Sequence, residues 1–117
     1  MNFEHPCHKT GLLGELFVKI RLNDLGINTG GVDRDTGTDL VLFFNKKILT
    51  GQIKSGYNAW NDNNDIHGVD IHFKVKIVDE GYGIQLDKCE IKWKFIDLTS
   101  NFTSLNESFL MNFVDKQ

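Results

Sequence analysis

Two β-prone runs, Asp39 to Phe44 and Ile48 to Ile53, are separated only by Asn45, Lys46 and Lys47, and this spacing constrains the fold more than any other feature of the chain. A connection this short joins antiparallel neighbours, so a hairpin is expected. Centred between Lys46 and Lys47, the hairpin sets Asp39 opposite Lys54 and Val41 opposite Gln52. Side chains alternate along a strand, so Asp39, Gln52 and Lys54 then share a face, and a slip of one residue would part them.

Upstream, Leu12, Leu13, Leu16, Phe17 and Ile20 repeat at helical spacing. Thr10 can cap a helix that runs through Leu25, and Gly26 supplies a left-handed stop. Residues 27–38 hold three glycines among Asn, Thr and Asp, and read as an irregular approach or short strand that ends in a turn. Residues 55–68, rich in Asn and Asp around Trp60, read as an exposed loop longer than most connections, which marks it as a functional candidate. Val69 to Ile77 alternates as a half-buried strand does, and residues 82–87 and 89–97 are expected to continue the sheet. Cys89, Ile91, Trp93 and Phe95 would face the core while Glu90, Lys92 and Lys94 face out. A final helix is expected from Phe109, Leu110, Phe113 and Val114, capped by Ser104 and Glu107.

Three segments stand in a telling order: Gly11-Leu12-Leu13-Gly14-Glu15, then Asp35-Thr36-Gly37-Thr38-Asp39-Leu40, then Gln52-Ile53-Lys54-Ser55. Together they resemble the PD-(D/E)XK nuclease superfamily, in the restriction-endonuclease-like and resolvase-like branch with Gln in the third motif. The resemblance covers about residues 10–56. It implies an α/β domain with a restriction-endonuclease-like mixed β-sheet, flanked by an N-terminal and a C-terminal helix. It also implies metal-dependent hydrolysis of DNA phosphodiesters. By that likeness Glu15, Asp39, Gln52 and Lys54 are the catalytic set, with Mg²⁺ (or Mn²⁺) held by Asp39, Gln52, the carbonyl of Ile53 and Glu15. The chemistry of the residues agrees, because Mg²⁺ takes hard oxygen ligands and usually only one or two carboxylates. Lys54 would offset charge at the reacting phosphate. Gln52, where many relatives have Glu, lowers the negative charge by one and weakens metal affinity. A catalytically inactive module that binds nucleic acid or a protein partner, such as an accessory or counter-defence factor, is therefore the alternative. Lys46, Lys47, Ser55 and Trp60 are candidate nucleic-acid contacts.

Plainer readings stand beside these. Glu15 could pair with Lys19 on a helix surface, Asp39 could close the turn begun at Gly37, and Lys54 could end a strand in solvent. Alternating Lys74, Lys76, Lys92 and Lys94 could be the solvated side of a sheet, and Trp60 could pack back onto it. Asp33, Asp35 and Asp39 miss the EF-hand spacing, and His5, Cys7, His8 and Cys89 lack the paired spacings of a zinc site.

Composition fits a globular domain, with 40% hydrophobic and 25% charged residues in 117. One domain, 1–117, is expected. The net charge of −3 argues against a protein that coats nucleic acid through charge alone. Two cysteines are too few for a disulfide framework, and no apolar run would span a membrane, so a cytoplasmic location is expected. A homodimer is expected because cutting two strands needs two sites.

Overall fold

The computed structural model describes residues 6–31, 39–44, 46–61, 68–79, 81, 83–96 and 101–114. Asp33, Asp35 and His5, weighed above as metal ligands, lie outside them, as do the side chains of Cys7 and His8.

The first helix, α1, spans Pro6–Asp24. It begins before the expected Thr10, on a proline, the residue whose missing N–H costs nothing in a first turn. Its end is a Schellman motif: Ile27 N–H donates to Leu22 O (2.9 Å), Gly26 N–H donates to Asn23 O (3.0 Å), and Gly26 sits at φ 87°. Leu22 and Ile27, both fully buried, supply the apolar contact of that motif. The buried stripe differs from the one expected. Gly14, Val18 and Leu22 face the sheet, while Leu12, Leu16 and Ile20 are about half exposed. Apolar residues surround this helix, so periodicity alone does not say which stripe turns inward.

Among the described residues, six strands form one mixed sheet in sequence order: β1 (Asn28–Gly31), β2 (Leu40–Phe44), β3 (Lys47–Gly56), β4 (Ile71–Lys76), β5 (Glu90–Phe95) and β6 (Thr103–Ser104). All neighbours are antiparallel except β3 and β4, which run parallel and need the crossover of residues 57–70. Of the strand expected over 82–87, the described residues 83–87 form none: Ile84 makes an isolated bridge with Asp79, and Leu86–Lys88 is a 3₁₀ turn. Asp79 is engaged in its own turn, accepting from Gly81 N–H (2.8 Å) and Gly83 N–H (3.3 Å), and glycine suits both positions, at φ 92° and 115°.

Registered partners divide the sheet into two faces. One carries Leu40, Leu42, Ile53, Ile71, Phe73, Val75, Ile91 and Trp93, all buried, and both helices pack there. The short α2 (Ser108–Val114) inserts Phe109, fully buried, against Trp93 (ring centroids 4.6 Å) and Phe73 (6.3 Å). Asn106 caps this helix: its Oδ1 accepts from the N–H (2.9 Å) and hydroxyl (2.5 Å) of Ser108. Ser104, expected as the cap, is instead paired with Lys92 in β6. The architecture is thus a mixed sheet flanked by an N-terminal and a C-terminal helix, as expected.

The second face was expected to lie in solvent. Instead His72 and Lys74 on β4 are buried there, at 4% and 7% exposure. Trp60, in the 3₁₀ turn Ala59–Asn61 of the crossover, and Phe102, just before β6, cover it.

Candidate active site

The candidate site begins where β2 stops and β3 continues. β2 starts at Leu40, paired with Gly51, and β3 runs on to Gly56. Asp39 donates its N–H to Gly51 O (3.0 Å), so Asp39 and Leu40 both address one residue, as at a β-bulge. Its carboxylate oxygen Oδ2 accepts from Ile53 N–H at 2.7 Å. A side chain thus supplies the acceptor that a longer β2 would have supplied from its backbone. The N–H and C=O of one strand residue point to the same side, so the carbonyl of Ile53 is directed toward the Asp39 side of β3.

The hairpin register differs from expectation. Lys47 pairs with Phe44, so the turn holds two residues rather than three, and Lys46 adopts φ 67°. Val41 therefore lies opposite Thr50 rather than Gln52, and Asp39 meets Gly51 and Ile53 rather than Lys54. Gln52 and Lys54 share a face because they lie two apart on one strand, and a displacement of two residues keeps the expected alternation across the hairpin.

Glu15 approaches from the other side. Gly14 is buried against β3, where a Cβ would overlap the Oγ and Cβ of Ser55 and lie 3.8 Å from Ile53 Cγ2. Glu15, the next residue, is half-buried. Ile53 and Ser55 point toward α1, whereas Gln52 and Lys54 point to the opposite face. The four residues therefore border one corner of the sheet without lying on one surface. Asp39, whose carboxylate sits at an in-plane N–H, marks the boundary between the faces.

The potential donors at this corner are all oxygens: the carboxylates of Asp39 and Glu15, the amide of Gln52 and the carbonyl of Ile53. That chemistry fits a hard divalent cation such as Mg²⁺. Among the described residues there is no group of three or more His, Cys, Asp or Glu able to hold a metal.

Of the other expected contacts, Lys46 and Lys47 sit at the hairpin tip, with Lys47 five residues from Gln52, about 16 Å along the strand. They are remote from the corner. Ser55 lies on the α1 side. Trp60 lies on the opposite face, with Lys92 Nζ 4.5 Å from its ring centroid. The start of the crossover is thus not a freely exposed loop: Ala59 is buried and Trp60 half-buried.

Two registered rows cross this second face: Gln52, His72 and Lys94, and beside it Lys54, Lys74 and Lys92. Lys74 Nζ lies 4.5 Å and Lys94 Nζ 5.3 Å from the Phe102 centroid, and the His72 ring meets Phe102 edge-on at 5.1 Å. His72 and Phe102 were not singled out from the sequence. Alternation places His72 beside Gln52 only once β3 and β4 are known to be adjacent and parallel, and nothing local announces that Phe102 folds over the sheet.

No family model, curated protein or solved structure matches the chain.

Proposed function

We propose that this protein is a metal-dependent endonuclease that hydrolyses DNA phosphodiester bonds. The observation that carries the reading is the 2.7 Å bond from Ile53 N–H to the carboxylate of Asp39, which ties the acid to the Gln-x-Lys strand. Asp39, Gln52, the Ile53 carbonyl and Glu15 are the groups that would hold Mg²⁺ or Mn²⁺. When bound, the cation would polarise a phosphate oxygen and lower the pKa of its water. Lys54, one residue beyond Ile53, would stabilise charge that develops on the phosphoryl oxygens. The Asp39 bridge to the backbone fixes the carboxylate before substrate arrives, so less ordering remains at the moment of reaction.

Gln52 supports a second reading, a nuclease fold that binds without cutting, because a neutral amide holds a cation less tightly than a carboxylate. Incubation with supercoiled plasmid, single-stranded DNA and a four-way junction, each with Mg²⁺, Mn²⁺ or EDTA, separates the two. The enzyme reading requires metal-dependent cleavage that Lys54→Ala lowers by about 100-fold or more. Absence of cleavage under every condition, with DNA still bound, would favour the binding module.

A further inference from the structure

From the sheet face opposite the helices we infer a binding site for single-stranded nucleic acid, built from Lys54, Lys74, Lys92 and Lys94 with the rings of Trp60 and Phe102. That this strand is also the substrate rests on the nuclease reading; the binding itself does not.

The first support is charge. The registered positions of β3, β4 and β5 on this face carry Lys54, Lys74, Lys76, Lys92 and Lys94 against Glu90, which lies opposite Lys76, while Asp70, just before β4, is bonded to Thr50. The whole chain has a net charge of −3, so this concentration runs against the composition. Three of the lysines stand in one row across adjacent strands about 4.8 Å apart, and Lys94 lies two residues along β5 from Lys92. Like charges set this close repel one another, and an anionic ligand beside Lys54, Lys92 and Lys94 relieves that repulsion.

The second support is the kind of partner the fold supplies. Lys92 is held over the Trp60 ring and Lys94 over the Phe102 ring. Cation–π contact keeps each ammonium charged while orienting it, and it neutralises nothing. Both rings are half-buried. Aromatic rings among lysines combine the two elements that bind unpaired strands: stacking on bases and attraction to the backbone. A duplex hides its bases in the stack and offers mainly phosphate. Lys54, Lys92 and Lys94 are half-buried and keep part of their surface in solvent, whereas Lys74 is buried against Phe102 and backs the site.

The test measures fluorescence anisotropy with labelled oligo(dT), oligo(U) and a duplex of equal length. EDTA is present so that no cleavage contributes. The single strands are expected to bind at least about tenfold tighter than the duplex, and the two oligomers together show whether the DNA-type and RNA-type strands are told apart. Replacing both Lys92 and Lys94 with Gln should weaken single-strand binding at least about tenfold and reduce the salt slope by about 1.4, that is, about 0.7 for each charge removed. Trp60→Ala should weaken it about tenfold while Trp60→Phe retains most of the affinity. Circular dichroism on each variant establishes that it is folded. Equal or tighter duplex binding, affinity unchanged in the folded Lys92→Gln/Lys94→Gln protein, or no binding of any oligomer would overturn the proposal. Cleavage without preferential single-strand binding would retain the nuclease and remove this site, and binding without cleavage would do the reverse.

Discussion

Asp39 serves the fold through its bond to Ile53 N–H and, on the proposed chemistry, serves the metal through its charge. Substitution can separate the two roles. Asp39→Asn keeps an oxygen acceptor for a largely buried strand N–H, so stability in urea is expected to change by less than about 1 kcal/mol, whereas Asp39→Ala leaves that N–H without its acceptor and is expected to cost about 1–3 kcal/mol. Equal stability of the two variants would mean that the bond contributes little. Lys46 offers a second residue-scale test, since φ 67° is disfavoured for any side chain with a Cβ. Lys46→Gly creates the Asn-Gly dipeptide preferred in two-residue hairpins and should raise the urea midpoint by the equivalent of about 0.5–1 kcal/mol. An unchanged or lowered midpoint would show that the turn is not strained there.

Helix α1 shows how far an element can be read before its neighbours are known. Its existence and its glycine stop are legible from the hydrophobic spacing and Gly26. Its orientation is not, because Leu12, Leu16 and Ile20 are as apolar as Val18 and Leu22. What decides the inward face is Gly14, where only a residue without a Cβ allows α1 to approach Ser55. Leu22→Ala should therefore cost about 2–5 kcal/mol, while Leu16→Ala should stay within about 0.5 kcal/mol, both read by chemical denaturation. Similar losses at the two positions would contradict the observed orientation. Gly14→Ala should destabilise by about 1–3 kcal/mol despite alanine's better helix propensity, and Ser55→Gly in the same chain should recover part of that loss. In the sheet, the hairpin was legible from its short connection, but its register was not, because Lys47 reads equally well as turn or strand. The final helix was legible from its apolar stripe, yet its cap depends on Asn106, two residues beyond the Ser104 that joins β6.

At the scale of the whole molecule, one sheet separates two environments. Both helices close the apolar face, while Trp60 of the crossover and Phe102 before β6 lie over the basic face. The candidate corner lies where β2 ends and the division between the faces is interrupted. The sequence order of Glu15, Asp39, Gln52 and Lys54 pointed to this corner. The depth at which His72 and Lys74 lie followed instead from the long-range return of Trp60 and Phe102, which no local pattern encodes. Among the described residues no helix is long and apolar enough to cross a membrane.

The most direct test of the nuclease reading is cleavage of supercoiled plasmid by the intact chain and by Asp39→Asn, in Mg²⁺ and in EDTA, with both proteins matched in folded stability. The account predicts cutting by the intact chain in Mg²⁺, none in EDTA, and a rate lowered by about 100-fold or more in Asp39→Asn. Cleavage that persists in EDTA, or that Asp39→Asn leaves unchanged, would contradict it.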